Sequence, residues 1–209
     1  MQVNSDPSTL RTSEVFLALK TVGEGDRISL TQLTETLGDR AFGLLVLIFA
    51  LPNIIPMIPG VSTVSGVVIG LVGLQMMIGR HAPWLPSAIG DRSLPRAQLA
   101  AMVDRTIGWV AKLERVARPR WTFLTRGLGH VALGAMFVLL GGILALPLSW
   151  IGNFPPGVAL VVLSIGLLEE DGMLVAAGHA IGIVATVLVV ALVVALVAAA
   201  LASFGWLTS

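Results

Sequence analysis

The chain has 209 residues, 56% of them hydrophobic and 12% charged, with a formal net charge of +1. Mean hydropathy is +0.91. Soluble domains carry roughly 25% charged residues, so the composition excludes an ordinary water-soluble globule and predicts an all-α integral membrane protein, a single domain over residues 1–209. With no cysteine, disulfide and thiol chemistry are also excluded.

The basic residues are unevenly spread. Arg11, Lys20, Arg27 and Arg40 precede the first apolar segment, nine of the thirteen lie between Arg80 and Arg126, and none follows Arg126. Asp91, Asp104 and Glu114 are the acids of that middle stretch. By the positive-inside rule the N-terminal region and the 80–126 segment are expected on the cytoplasmic side. The first forty residues lack the basic, apolar, small-residue order of a signal peptide, and none is expected.

Residues 13–37 alternate apolar and polar positions at helical spacing, and Gly23 and Gly25 divide them into two short amphipathic helices. Ser29 and Gln32 have capping-box spacing, and Gly38 is placed to end the second helix. Such helices lie against the membrane interface or the protein's own core. Ala41 to Leu51 predicts an apolar helix reaching roughly half-way across a hydrocarbon core about 30 Å thick. Pro52 to Pro59 then breaks the chain inside apolar sequence, where each unpaired backbone group costs several kcal/mol. Val61 to Gly79 predicts a longer helix, with Gly66 and Gly70 at close-packing spacing.

From Leu99 onward, Met102, Val103, Thr106, Val110, Leu113 and Ala117 form one apolar stripe opposite Asp104, Arg105, Lys112 and Arg115. The pattern predicts a basic amphipathic connector over 87–126, lying on anionic lipid near residues 92–120 or capping the bundle. No basic-aromatic platform accompanies the charge, so nucleic acid is not an expected partner. Gly127 to Leu148 is long enough to span a bilayer. A second break running to Gly157 leaves Gly157 to Leu168 short, and Glu169-Glu170-Asp171-Gly172 ends it. Residues 173–206 carry no charge. They form one long tilted span or a tight pair of helices.

The two breaks resemble each other. Ala50-Leu-Pro-Asn53 through Pro59-Gly60 is echoed by Ala145-Leu-Pro147 through Pro156-Gly157. Ala41-Phe-Gly43 matches Ala132-Leu-Gly134 at an offset of about 91, and Ile69-Gly-Leu71 matches Ile165-Gly-Leu167 at about 96. The growing offset predicts an internal repeat of broken or re-entrant apolar helices, residues 38–86 and 127–172, either parallel or inverted. In transporters such breaks meet near the midplane and line a polar site.

Gly38-Asp-Arg-Ala-Phe-Gly43, Ala50-Leu-Pro-Asn53, Pro59-Gly-Val-Ser-Thr63 and Gly79-Arg-His-Ala-Pro-Trp-Leu-Pro86 together resemble the exopolysaccharide-synthesis ExoD family of bacterial membrane proteins. Gly152-Asn153, Pro155-Pro156 and Gly166-Leu-Leu-Glu-Glu-Asp-Gly172 extend the resemblance through the second half, over roughly residues 13 to 200. It implies a bacterial inner-membrane protein associated with exopolysaccharide production. It brings no defined reaction, cofactor or catalytic residue.

Polar residues inside or bordering apolar sequence are the candidates for function. Asn53, Ser62, Thr63 and Asn153 are expected at a polar site between the breaks or as caps of the broken helices. The cluster Glu169, Glu170 and Asp171 opposes the dipole of the helix it ends and needs compensation. Asp171 is placed to cap the next helix. Arg40 or Arg80 is placed to pair with Glu169 or Glu170, and Asp39 is placed to cap its own helix. His130 and His179 lack metal-ligand spacing, so no metal site is expected and no cofactor is called for. Gly127-Leu-Gly129 precedes an apolar helix and follows no strand, which discounts a dinucleotide fingerprint. Three readings follow: a non-catalytic membrane component of exopolysaccharide synthesis, a small transporter or channel, and an enzyme acting on a lipid-linked intermediate. The first is preferred, with fellow membrane proteins of that process as partners. The stretches Gly178-x-x-x-Gly182 and Ala191-x-x-x-Ala195 favour a homodimer or internal packing.

Overall fold

The computed structural model describes residues 12–18, 26–54, 60–84, 93–95, 97, 100–101, 103–104, 108, 111–112, 117–146 and 150–207. Helices dominate: α1 (Thr12–Ala18), α2 (Leu30–Leu37), α3 (Asp39–Ala50), α4 (Val61–Met77), α5 (Leu128–Ala145), α6 (Trp150–Leu168) and α7 (Gly172–Leu207). Single 3-10 turns cover Leu51–Asn53 and Thr122–Leu124. Within the expected connector over 87–126, residues 97, 100–101, 103–104, 108 and 111–112 are helical, while 93–95 are a strand and 122–124 a 3-10 turn. Pro56 and Pro59 lie outside the described residues.

Local chemistry starts and stops these elements. Ser29 Oγ accepts from the Gln32 N–H, and Gln32 Oε1 accepts from the Ser29 N–H, both at 3.1 Å. That capping box opens α2, and Gly38, at φ 55°, closes it. An all-helical chain was the expectation, but β1 (Arg27–Ser29) pairs antiparallel with β2 (Ser93–Pro95). The β-branched Ile28 sits opposite Leu94 and is buried with Leu37, Ala41 and Val103. The N-terminal segment is thereby fixed to the protein's own core.

One expectation needs correction, and one open alternative is decided. The second break is shorter than predicted, because α6 begins at Trp150 and carries Asn153, Pro155, Pro156 and Gly157 as helical residues. Both prolines fall in its second turn, where only the carbonyls of Ile151 and Gly152 lose their usual donor. For the C-terminal stretch, expected as one long span or a pair of helices, the structure takes the first. It is one helix of 36 residues, about 54 Å long at 1.5 Å per residue. By length and composition α5 and α7 can cross a membrane, while α4 and residues 152–168 of α6 are shorter apolar helices.

Glycine decides how these helices meet. A methyl group placed on Gly66 would fall on the backbone of Gly141 and Ala145, and one on Gly73 would fall on Gly134 and Val138. The start of α4 therefore touches the end of α5, and the two run antiparallel with their backbones in contact. In the same way a methyl on Gly43 would meet Ser164 and Leu168, and one on Gly157 would meet Asn53. So α3 runs antiparallel to α6. The α6–α7 hairpin closes through Gly166 against Val175 and Gly178 against Leu163.

These contacts are related by one shift of 91 residues. Gly43 against Ser164 and Leu168 becomes Gly134 against Gly73 and Met77 (134 − 43 = 164 − 73 = 168 − 77 = 91). The core follows the same shift: Phe42 and Leu133, Val46 and Phe137, Ile69 and Leu160, Val72 and Leu163, Met76 and Leu167 are all buried. Packing thus keeps a constant offset where the sequence signatures drift to 95 or 96. A difference of four is about one helical turn and keeps nearly the same face inward, whereas a difference of five rotates Ile165 partly away from it. We expect Gly73→Ala to destabilise the bundle by about 1–3 kcal/mol through overpacking. Gly70→Ala, whose added methyl meets nothing within 4 Å, should be neutral or stabilising by up to about 1 kcal/mol. Unfolding of the two variants in detergent checks the pair.

Candidate functional site

Ionic side chains gather at one end of the bundle, where α6 turns into α7. The Glu170 N–H bonds to the Leu167 carbonyl at 3.3 Å and the Asp171 N–H to the Gly166 carbonyl at 2.8 Å. This is the Schellman pattern, and it puts Glu170 in the left-handed position that glycine usually takes. Its φ is 51°. A side chain there costs about 1–2 kcal/mol.

Asp171 has a fully buried side chain. Its Oδ1 accepts the N–H groups of Met173 at 2.9 Å and Leu174 at 3.3 Å, so it caps α7. Its Oδ2 accepts the Arg118 N–H at 3.0 Å, and Arg120 Nε approaches both oxygens at 3.1 and 3.2 Å. The Gly172 N–H bonds back to the Arg120 carbonyl at 2.7 Å. One carboxylate thus joins the segment before α5 to the α6–α7 turn. Burial pushes the Asp171 pKa upward, but the hydrogen bonds from Arg118, Arg120, Leu174 and Met173 outweigh it and hold the carboxyl below its ordinary value.

Glu170 bridges two other segments. Its Oε1 lies 3.5 Å from a guanidinium nitrogen of Arg40 on α3, and its Oε2 accepts from Arg126 at 2.8 Å. Arg40 is buried, while the Arg126 side chain is half-exposed. Glu169, beside them, is buried. Asp39 is the first residue of α3, after Gly38, and its Oδ1 lies 3.6 Å from His81 Nδ1. Arg80 is exposed, and among the described residues it pairs with no acid. At the same end the Thr12 hydroxyl donates to the Leu168 carbonyl at 3.0 Å, docking α1 on α6.

The candidates at the opposite end behave differently. Asn53 is buried and donates from Nδ2 to the Phe49 carbonyl at 2.7 Å, which satisfies the end of its own helix. Asn153 is buried on α6, one turn before the Gly157 that touches Asn53. Ser62 and Thr63 do not cap α4. Gly60 is its N-cap, with no side-chain hydrogen bond, and Thr63 is exposed. The structure therefore brings Asn53 and Asn153 to one end, and Arg40, Glu169, Glu170 and Asp171 to the other. Arg80 follows the end of α4 on the charged side without an acidic partner among the described residues, and Ser62 and Thr63 open α4 at the other end without capping it.

Three participants escaped the sequence reading. Arg118, Arg120 and Arg126 supply the partners of Asp171 and Glu170, and one signal pointed to them. The three acids lie inside a stretch without any Lys or Arg, so their counter-ions had to come from the basic segment before it. His130, which lacks metal-ligand spacing in the sequence, has a distinct environment. It is buried against Phe42, ring centroids 5.8 Å apart and edge-on, and among the described residues neither ring nitrogen has a hydrogen-bond partner. His179, on α7, bonds through Nδ1 to the Val175 carbonyl at 2.9 Å.

The family profile described as "Exopolysaccharide synthesis, ExoD" matches residues 12–202. The chain belongs to the ExoD family. It is 35% identical over 191 residues to Protein ExoD of Rhizobium meliloti (strain 1021), covering 90% of this chain and 79% of that one. An uncharacterized protein of Synechocystis sp., slr1875, is 29% identical over 168 residues, covering 79% of each chain. No solved structure matches. The ExoD match spans both the charged end and the proline end of the bundle.

Because its carboxyl titrates lower folded than unfolded, Asp171 contributes stability that is complete above a pH of about 4. That contribution is lost as pH falls through the folded value. Asp171→Asn should therefore cost about 2–3 kcal/mol at neutral pH, from weakened charge-assisted bonds. The gap between variant and parent should narrow on acidification toward pH 3. Chemical unfolding across that range checks both statements.

Proposed function

We propose that the chain is a multi-pass protein of the bacterial inner membrane that supports exopolysaccharide synthesis without catalysing a step of it. Membership of the ExoD family carries the process. The observation that carries the membrane reading is the segregation of charge. Apolar helices pair through glycine along their length, while the ion pairs of Arg40, Arg120 and Arg126 with Glu170 and Asp171 collect at one end. The same end carries Arg80 and Arg118, so by the positive-inside rule it faces the cytoplasm together with the 80–126 connector.

In this reading α3–α4 and α5–α6 are two copies of one hairpin, entering and leaving on the cytoplasmic side and therefore parallel. The common 91-residue shift of their contacts supports the duplication. The end of α3 and start of α4, and the end of α5 and start of α6, lie at the far side of the hairpins. The long α7 then crosses outward from Gly172, which puts the C-terminus in the periplasm. Outer faces such as Val64, Val67, Leu71 and Leu74 on α4, all exposed, meet lipid or a second copy of the chain. Anionic lipid lies along residues 92–120, and partners are fellow membrane proteins of exopolysaccharide synthesis.

Two measurements test the proposal. A periplasm-dependent reporter such as alkaline phosphatase should be active when fused after residue 207 and inactive when fused after residue 118. Activity at both points, or at neither, contradicts the topology. In a bacterium deleted for its own family member, this chain should restore exopolysaccharide production, and purified protein should turn over no polyprenyl-linked sugar. Such turnover with added divalent metal would make it an enzyme.

A further inference from the structure

The first turns of α3 and α5 meet at the charged end. Each follows a glycine in nearly the same conformation, Gly38 at φ 55° and ψ −132° and Gly127 at φ 55° and ψ −124°, and neither carries a side-chain cap. Helix N-termini favour anions through their N–H groups and dipole. Arg40 is the second residue of α3, and Arg126 directly precedes the cap of α5. Between the two turns lies His130, the third residue of α5, its ring edge-on to Phe42 of α3. It is 6% exposed, and both its nitrogens are buried without a partner among the described residues. Native interiors leave few polar groups in that state, and each one calls for an explanation.

Glu170 supplies a second indication. Its carboxylate already occupies the two guanidinium groups, one oxygen on each, from a residue in a left-handed backbone conformation. Strain of this kind persists where the surrounding structure makes use of it. A carboxylate between two arginines has the geometry of an internal stand-in for a phosphate-type oxyanion. Asp171 is held by Arg118, Arg120 and the α7 N-terminus. Glu170 is therefore an acid that an incoming anion must displace from Arg40 and Arg126.

We propose that the charged end binds a phosphate-class oxyanion between Arg40, Arg126 and His130, with Glu170 as the internal anion that it displaces. His130 donates one N–H to the oxyanion, and Arg126, half-exposed, gives it access. The anion is either a free phosphate or the headgroup of an anionic lipid. The inference does not depend on the process that the protein serves.

The test uses purified full-length protein in nanodiscs. In phosphatidylcholine discs, inorganic phosphate is titrated while thermal unfolding is followed, with sodium chloride at matched ionic strength as control. In a second arm, phosphatidylglycerol is added to the discs in phosphate-free buffer. A saturable rise in unfolding midpoint is expected in the first arm if free phosphate is the ligand, and in the second if it is a headgroup. Glu170→Gln should tighten binding about tenfold by removing the competing charge. Arg126→Lys should weaken it, and His130→Phe should abolish most of the response while raising the midpoint without ligand. That last combination separates a ligand-binding histidine from a structural one. No response in either arm, an equal response to chloride, or an affinity unchanged in Glu170→Gln and His130→Phe overturns the proposal.

Discussion

Backbone contact between α4 and α5, made possible by Gly66, Gly73, Gly134 and Gly141, sets the frame for every other element. In apolar surroundings helices gain little from hiding hydrocarbon, so close van der Waals approach must hold them together. Side chains at these positions would push the two backbones apart. Because the helices run antiparallel, the start of α5 sits beside the end of α4. The related contact of Gly43 with Ser164 and Leu168 does the same for α3 and α6. All four helix ends that carry charge are thereby collected on one side. The long α7 is an addition to this frame, with 17% of its most apolar stretch buried against 50% for α5.

Two acids at the α6–α7 turn then hold that side together, each in its own way. Asp171 fastens the chain before α5 to the start of α7, using a side chain with no exposed surface and four donor groups. Glu170 spans Arg40 and Arg126, which stand at the entrances of the two hairpins. One link is a cap and a clamp. The other is a bridge on a strained backbone, which makes it the less settled of the two. The proline end has no comparable ion pair among the described residues, and its buried Asn53 serves its own helix.

Much of this was legible in the residues. The capping box at Ser29 and Gln32, the stop at Gly38, and the apolar runs of α3, α4 and α5 follow from local chemistry that acts over three or four residues. The placement of Arg40 and Asp171 was readable too, since a charge at a helix end has few partners to choose from. The second break was misjudged because Pro155 and Pro156 look like helix breakers. The helix nevertheless begins at Trp150 and runs through both prolines, leaving only the carbonyls of Ile151 and Gly152 without their usual donors. The 91-residue register is spelled out at Ala41-Phe-Gly43 and Ala132-Leu-Gly134, but its persistence beyond the first helices lives in burial. Ile69 shares its packing position with Leu160, not with the Ile165 that spells a better match. His130 could not be recognised because its significance depends on Phe42 and on the absence of any partner among the described residues, both tertiary facts.

The central claim is that two hairpins pair antiparallel in one register, and α3 against α6 offers the most direct test. A Cβ built on Gly157 lies 3.3 Å from that of Asn53, close to the separation of about 3.5–4.5 Å that a disulfide spans. The chain has no cysteine of its own, so Asn53→Cys with Gly157→Cys gives a background-free pair. Oxidation in native membranes should cross-link it within one chain, shifting its mobility under non-reducing conditions. The pair Asn53→Cys with Ser164→Cys, about two turns away along α6, should stay unlinked. Cross-linking of that second pair, with none in the first, would contradict the register and the account built on it.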